Sequence, residues 1–470
     1  MIARLCGVTL LCLALGDRAA TAGQDSDLGL IPQGIEQQET PAIETSGATG
    51  PNQRIYLENA AVASSLRSGL LVSNPAPSSP DWEERLFLDV RREWKLDDQW
   101  SVTLSNRFNL RAESDLPIPT HDNVVSELRE GYVSWVPLDR TFLDVGRVNL
   151  KSGVALGFNP TDFFKTRAVV EPISVDPTVL REDRLGTVMA LGQHIWQEGA
   201  VLVAIAPKLT NPTAIYNNAK LQSFNPSLDR TNAADRFLIK GNVTVVDDFA
   251  PEFLLYREGN RTSFGTNVTE SIGQYIVAYA EWAGGDRSSL IDEALRYGRR
   301  TGSLPFGAAN PLPVGSHRYF QNQLSAGASY TTESKITFNL EYHFDQDAFS
   351  QRDWSNWFHS GSAAGRSAGV PAELWYIRSY ASDQQEPISR HSLFLRADQV
   401  DAFIPRLELT GFINTDLYDG SSLVQVEADY YLSNDWTIGG LIIGDLGRKH
   451  SDFGSLPQGG SALFKLARYF

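Results

Sequence analysis

Arg107, Asn109 and Arg111 stand two residues apart, and Gln425, Glu427 and Asp429 repeat that spacing with an amide and two acids. Polar groups at every second position share one face of an extended strand. Such a row can hold or steer a charged or dipolar solute, but it contains no nucleophile set beside a base. The seven histidines, His121, His194, His317, His343, His359, His391 and His450, are scattered without metal-ligand spacing. Neither a Gly-x-Ser-x-Gly elbow nor a phosphate-binding loop occurs. The expectation is therefore no metal, no cofactor and no enzyme. A surface hydrolase, with a Ser or Asp beside a His, is kept as a remote alternative.

The remaining ionisable groups fall into two sets. Arg91, Arg107, Arg111, Arg236 and Lys240 occupy polar faces in the first half, against Asp89 and Glu93. Lys335, Arg390 and Arg396 follow in the second half, against Glu341, Glu408, Glu427 and Asp429. If all line one interior, basic charge leans to one wall and acidic charge to the other, which orients dipolar solutes. The plainer alternative is that they pair locally. The faces of Arg129 and Arg147 are not assignable. Segment 151–184 carries Lys165, Arg167, Arg181 and Arg184 among Asp162, Glu171, Asp176, Glu182 and Asp183, stiffened by Pro160, Pro172 and Pro177. It is the candidate constriction; the alternative is an outer loop held by its own ion pairs.

Two further segments are local structures. Ser288 or Ser289 caps a short helix through Gly298, with Leu290, Ile291, Ala294 and Leu295 as its apolar stripe. It is read as a lid or a plain surface helix. Trp354, Trp357, Phe358 and His359 form a loop mini-core or, as the alternative, a saccharide contact.

These residues need elements that alternate. In 100–111, Trp100, Val102, Leu104, Phe108 and Leu110 oppose Ser101, Thr103, Ser105, Arg107, Asn109 and Arg111. In 335–345, Ile336, Phe338, Leu340, Tyr342 and Phe344 oppose Lys335, Thr337, Asn339, Glu341, His343 and Asp345. Strands of roughly ten residues with one apolar and one polar face, ended by aromatics, are the pattern of a transmembrane barrel. Short links at 97–99, 197–198, 247–248, 331–334 and 433–435 alternate with long ones at 112–123, 151–184, 210–234, 284–318 and 346–388. Between Glu84 and Phe470 about 16 strands are apparent, but the short links then change sides midway. A strand at 261–269, with Phe264, Thr266 and Val268 on one face, and another within 54–72 repair the parity. The expected fold is thus all-β: a closed antiparallel barrel of about 18 strands, with 16 as the alternative.

Residues 1–22 read as a signal peptide, with Arg4, the apolar run 5–15 and the cleavage site Ala20-Thr21-Ala22. Both cysteines, Cys6 and Cys12, lie within it, so no disulfide is expected beyond it. Residues 23–53 carry five acids and no Lys or Arg and read as a flexible periplasmic extension. The barrel is assigned to 54–470. A formal charge of −15 argues against nucleic acid as a partner.

The chain ends Ser461-Ala-Leu-Phe-Lys-Leu-Ala-Arg-Tyr-Phe470. A terminal Phe470 closing an alternating strand resembles the assembly signal read by the outer-membrane assembly machinery; Arg468 departs from the usual apolar residue there. Over essentially its whole length beyond residue 22 the chain resembles the Gram-negative porin-type barrels. Leu143-Asp-Val-Gly-Arg147 followed by Asn159-Pro160-Thr-Asp162 is similar to the strand-and-loop segment of substrate-selective barrels, alginate-export channels among them. The resemblance implies a monomeric or trimeric channel in the bacterial outer membrane, contacting its lipid. Small polar or anionic solutes, with saccharides included, are the expected cargo. A non-conducting scaffold or partner-holding sheath is the rival reading.

Overall fold

The computed structural model describes residues 53–73, 80–114, 122–170, 174–215, 223–245, 249–304, 310–313, 318–363 and 369–470. Segment 1–22 and all of the acidic extension except Gln53 lie outside these residues, as do 171–173 of the candidate constriction.

Eighteen antiparallel strands form one sheet that closes on itself. The first nine are β1 (Gln53–Leu66), β2 (Trp82–Lys95), β3 (Trp100–Glu113), β4 (Val124–Leu138), β5 (Thr141–Val148), β6 (Thr187–Trp196), β7 (Gly199–Ala206), β8 (Arg236–Val243) and β9 (Glu252–Glu258). The second nine are β10 (Arg261–Ile272), β11 (Ile276–Arg287), β12 (Tyr319–Thr331), β13 (Ile336–Asp345), β14 (His391–Gln399), β15 (Leu407–Asp416), β16 (Ser422–Tyr431), β17 (Trp436–Leu446) and β18 (Gln458–Tyr469). Each strand pairs with its sequence neighbours, and β1 with β18 closes the ring through Tyr56↔Tyr469 to Ser64↔Ser461. Closure leaves no open sheet edge. The count is 18 rather than 16 because β1 and β10 are both present, as parity required.

Side-chain burial alternates with the pleat. On β13, Phe338 and Leu340 point outward, 39% and 49% exposed, while Asn339 and Glu341 point inward and are buried. On β3 the outward Leu104 and Phe108 contrast with the buried Thr103, Ser105 and Arg107. Aromatic side chains gather at the short-turn end of the outer face, where Trp100 stacks on Trp135 with centroids 5.3 Å apart. Trp94, Trp196 and Tyr330 are exposed at the same level. An apolar outer belt with aromatic ends is what a lipid-embedded barrel presents. No described helix is long and apolar enough to cross a membrane, so the crossing falls to strands.

Among the described residues, five α-helices stand in the long connections: α1 (Pro177–Glu182), α2 (Leu228–Thr231), α3 (Leu290–Thr301), α4 (Gln351–Ala363) and α5 (Gly369–Gln384). Helix α3 starts where the capping Ser289 accepts from the Asp292 N–H and ends at Gly302, in the left-handed conformation. Helices α3, α4 and α5 share an apolar core with Leu295, Trp357, Leu374 and Ile377 at its centre, joined by Val72 and Ile215 from other long connections. This core lies at the long-loop end, over the mouth of the barrel. Trp354, Trp357 and Phe358 are buried in it, so the mini-core reading holds for these three, while His359 is exposed. The saccharide contact at these rings is corrected, because no ring face is free.

One wall departs from the expected polar interior. Inward residues Met189, Leu191, Leu202, Ala204, Leu238, Leu254 and Tyr256 on β6–β9 form an apolar cluster covered by Phe163 and Phe164. The sequence signal is the run Ala200-Val-Leu-Val-Ala-Ile-Ala206, apolar on both faces. A strand covered on both sides reads as a continuous apolar run rather than an alternating one.

Candidate functional site: the inward-folded loop and its anchors

The connection between β5 and β6 (149–186) enters the barrel and crosses it. Its first half is held by two inward carboxylates on the facing wall. Glu281 of β11 accepts from the N–H groups of Val154 (2.7 Å) and Ala155 (2.6 Å), from Asn159 Nδ2 (2.9 Å) and from Thr161 Oγ1 (2.9 Å). Glu341 of β13 accepts from the N–H groups of Leu156 (2.7 Å) and Gly157 (2.8 Å), from Tyr279 Oη (2.7 Å) and from His343 Nε2 (2.8 Å). A buried carboxylate needs several donors to replace its water, and successive loop N–H groups supply them. Ser325 Oγ of β12 donates to the Phe158 carbonyl between these anchors.

Close approach at the anchors selects glycine. Gly153 sits at φ +94°, and a Cβ there would lie 2.6 Å from the Glu281 carboxylate. A Cβ on Gly157 would meet His343 at 2.6 Å and Phe394 at 2.8 Å.

The second half of the loop reaches other strands. Ser174 Oγ donates to Gln425 Oε1 of β16 (3.0 Å). Arg396 of β14 donates to Thr178 Oγ1 (3.0 Å) and lies 3.6 Å from Asp176, which caps α1. Strand β14 lies halfway round the ring of 18 from β5, so the loop spans the lumen. Its return to β6 is fixed by four charges. Asp89 binds Arg107 (2.8 Å) and Arg129 (2.6 Å), and Asp183 binds the same two arginines at 3.0 and 2.9 Å.

The sequence-predicted interior residues fall into three groups. Arg107, Arg236, Glu341 and Arg396 point inward as expected but are buried under loops. Their charges are spent on structure: Arg236 pairs with Glu258 at 3.2 Å, and the others act as described. Arg91, Arg111, Lys240, Glu427 and Asp429 also point inward, each with a neighbour. Arg91 lies 3.5 Å from Glu130, Arg111 2.7 Å from Glu83 and Lys240 3.2 Å from Glu252; Lys465 is shared by Glu427 (2.6 Å) and Asp429 (2.8 Å). Opposed charged walls are therefore corrected to local pairs. Lys465 sits in the terminal strand, where the alternation alone was read. The third group leaves the wall. Lys335 occupies the turn before β13, exposed and at φ 60°, because the hairpin needs a left-handed residue there. Arg390 precedes β14 at the long-loop rim, where its N–H donates to the Phe349 carbonyl.

The four basic loop candidates are clasps, Lys165, Arg167 and Arg184 buried and Arg181 partly so. Lys165 Nζ donates to the Asn159 carbonyl (2.9 Å), lies over the Phe158 ring and stands 3.6 Å from Glu386. Arg167 binds Asp383 at the end of α5 (2.9 Å), and Arg230 binds the same carboxylate (2.6 Å). Arg181 donates to the Ser152 carbonyl (3.0 Å), and Arg184 bonds Asp162 and Gln385. Loop and helical lid are thus one connected body, which intra-loop ion pairs alone would not give. Arg129 and Arg147, unassigned from sequence, are both buried; Arg147 donates to the carbonyls of Gly186 (2.8 Å) and Pro226 (2.6 Å). Glu281 and Asp383 were missed, since their partners lie over a hundred residues away; Asp183 was legible as an acid of the loop but not as the partner of Arg107 and Arg129.

The lid has its own tether. Arg378 of α5 lies 5.2, 5.5 and 5.4 Å from the rings of Trp354, Trp357 and Trp375 and bonds Asp452 Oδ1 (2.5 Å) in the β17–β18 connection. Burial pushes the Asp452 carboxyl up to about 7, against the pull of Arg378. Its folded pKa thus exceeds the unfolded ~3.9. Its contribution to lid stability is full below the unfolded value and is lost as pH rises through the folded one.

Removing one member of the four-charge cluster leaves two buried acids sharing one arginine. Arg107→Ala is expected to destabilise the protein by about 1–3 kcal/mol. Urea unfolding of protein refolded in bilayers measures this; an unchanged midpoint would show that the cluster adds no stability.

Among solved structures the chain is similar to OccAB4 of Acinetobacter baumannii, at 9% identity and TM-score 0.51, over 89% of this chain and 99% of that one. OccK11 (OpdR) of Pseudomonas aeruginosa follows, with 11% identity, TM-score 0.47 and coverages of 89% and 95%. A mutant of the Rh. blastica porin gives 9% identity, TM-score 0.39 and coverages of 89% and 99%. No protein-family model and no curated protein matches the sequence. At these identities the likeness to OccAB4 is one of fold alone, a closed β-barrel.

Proposed function

We propose that this barrel is a bacterial outer-membrane channel, narrowed by its inward loop, for passive passage of small polar solutes. The observation that carries the reading is the crossing of 149–186 to the opposite wall, tied by Glu281, Glu341 and Arg396. A loop that spans a polar lumen sets the size limit of whatever passes. Anionic and neutral solutes, saccharides included, are the class proposed. Cleavage of residues 1–22 would deliver the chain through the periplasm. Phe470, at the short-turn end with its N–H on the Ile55 carbonyl, suits recognition by the assembly machinery.

The apolar core shared by α3, α4 and α5 over the mouth favours a second reading, a closed barrel acting as scaffold or sheath. Planar-bilayer recordings of purified protein distinguish the two. Discrete conductance steps are expected, with mild anion selectivity in a salt gradient, because the inner cations are largely matched by neighbouring acids. A silent bilayer would leave the scaffold reading, and strong cation selectivity would remove the anionic solutes.

A further inference from the structure

Outside the lumen, one stretch of the long-loop rim gathers cations that the barrel does not neutralise. Arg448 and Lys449 are exposed just after β17, and Arg67 follows β1 beside them. Arg67 donates to the carbonyls of Phe453 (2.8 Å) and Leu456 (2.9 Å), and Lys449 Nζ donates to that of Gly69 (3.1 Å). Among the described residues none of the three pairs with a carboxylate, unlike the clasps of the lumen. The acids nearby are engaged elsewhere. Asp419 accepts from the N–H groups of Ser421 (2.8 Å) and Asp452 (2.7 Å), Asp452 holds Arg378, and Asp445 is buried on the inner face. On a chain of formal charge −15 this patch is a local site of attraction for anions.

The wall below the patch faces lipid. Its outward residues run in register across three strands: Gly444, Gly460 and Ser65 in one row, Ile442, Ala462 and Ala63 in the next. All but Ile442 are small, so the surface sinks between Ile442 and Leu446 on one side and Trp82, the partner of Ala63 on β2, on the other. Phe464 lies beneath, and these four large side chains are all exposed. A Cβ on Gly444 would meet only Leu446 Cδ2, at 3.7 Å, so the neighbouring strands do not demand glycine there. The trough continues the apolar outer belt, and the cations stand where that belt ends, at headgroup level. A lipid seated here brings an acyl chain to the trough and its phosphate to Arg and Lys donors, which bind phosphate oxygens strongly. A free phosphate would use the cations alone.

We infer that the outer face of β17, β18 and β1 is a binding site for a phosphorylated lipid of the outer leaflet. Arg448, Lys449 and Arg67 hold the phosphate, and an acyl chain lies along Gly444, Ala462 and Ala63. The inference goes beyond the channel reading: it needs the barrel to sit in the outer membrane but needs no conduction.

The test is native mass spectrometry of the full chain in detergent micelles, titrated with diphosphoryl lipid A or with dioleoylphosphatidylcholine. One saturably bound lipid A per chain is expected, at least tenfold tighter than phosphatidylcholine. Arg448→Ala combined with Lys449→Ala should weaken it about tenfold to thirtyfold. Gly444→Leu leaves every cation in place and fills the trough, and should weaken it about fivefold. Arg257→Ala removes an exposed cation from β9, halfway round the ring, and should change nothing. All three changes lie on exposed or lipid-facing positions, so compact gel mobility of the unheated protein identifies the folded samples. Equal retention of phosphatidylcholine, undiminished affinity in the double variant or in Gly444→Leu, an equal loss in Arg257→Ala, or displacement of lipid A by millimolar inorganic phosphate would each overturn the inference. Silence in planar bilayers would remove the channel reading and leave this one standing.

Discussion

Replacing Glu281 and Glu341 together by alanine is expected to raise single-channel conductance severalfold and to admit larger solutes. The two carboxylates take the N–H groups of Val154, Ala155, Leu156 and Gly157 as well as the side chains of Asn159, Thr161 and Tyr279. Hydrogen bonds to a charged partner each contribute about 1.5–3 kcal/mol, so the first half of the loop loses most of what fixes it to that wall. The strand pairs β10–β11 and β12–β13 stay intact, so barrel closure is preserved and the unheated protein should keep its compact gel mobility. Single replacements should have smaller effects, because either carboxylate alone still holds one part of the segment. Bilayer conductance and the swelling rate of proteoliposomes in sugars of increasing size measure the change. An unaltered conductance in the double variant would mean that the loop is not the narrow point, and the proposed function would lose its main support.

Leu340→Arg is expected to cost about 2–4 kcal/mol of folding stability, the usual penalty for a cation on the lipid face near the midplane. Leu340 is outward on β13, 49% exposed, between Ala328 and Leu395 on neighbouring strands. Its natural control must be chosen from the structure. The inward residues Thr103 and Asn339 look like free lumen positions in the alternating pattern, yet both are only 4% exposed. An arginine there would be crowded, so its cost would report packing as well as face. Thr337, inward on the same strand and half-exposed toward the short-turn end, has water to receive the side chain. Thr337→Arg should cost well under 1 kcal/mol, as for a surface change. Urea unfolding in lipid vesicles gives both numbers. Equal costs would mean that the assignment of inner and outer faces on β13 is wrong.

What the sequence by itself determined about this protein is its barrel. A period of two fixes which side of each strand faces lipid, and link lengths fix which ends share a face. The even strand count follows from both, which is why β1 and β10 were recoverable. These are local properties, each carried by about ten residues. The charge on the inner face was also legible, as at Arg107 and Glu341, but its use was not. Arg107 reads as a pore charge until Asp183, on a distant segment, closes on it. Glu341 reads as an acidic wall until the N–H groups of Leu156 and Gly157 arrive. Whether a lumen side chain meets water or a loop depends on where that loop travels. The path is set by pairs far apart in the chain, such as Ser174 with Gln425 and Arg378 with Asp452. No periodicity encodes such pairs, because a buried donor needs only one acceptor within reach, wherever that acceptor lies in the sequence. Only the tertiary structure therefore decided that the interior is partly apolar, that its cations are mostly clasps, and that loop and lid form one body across the lumen.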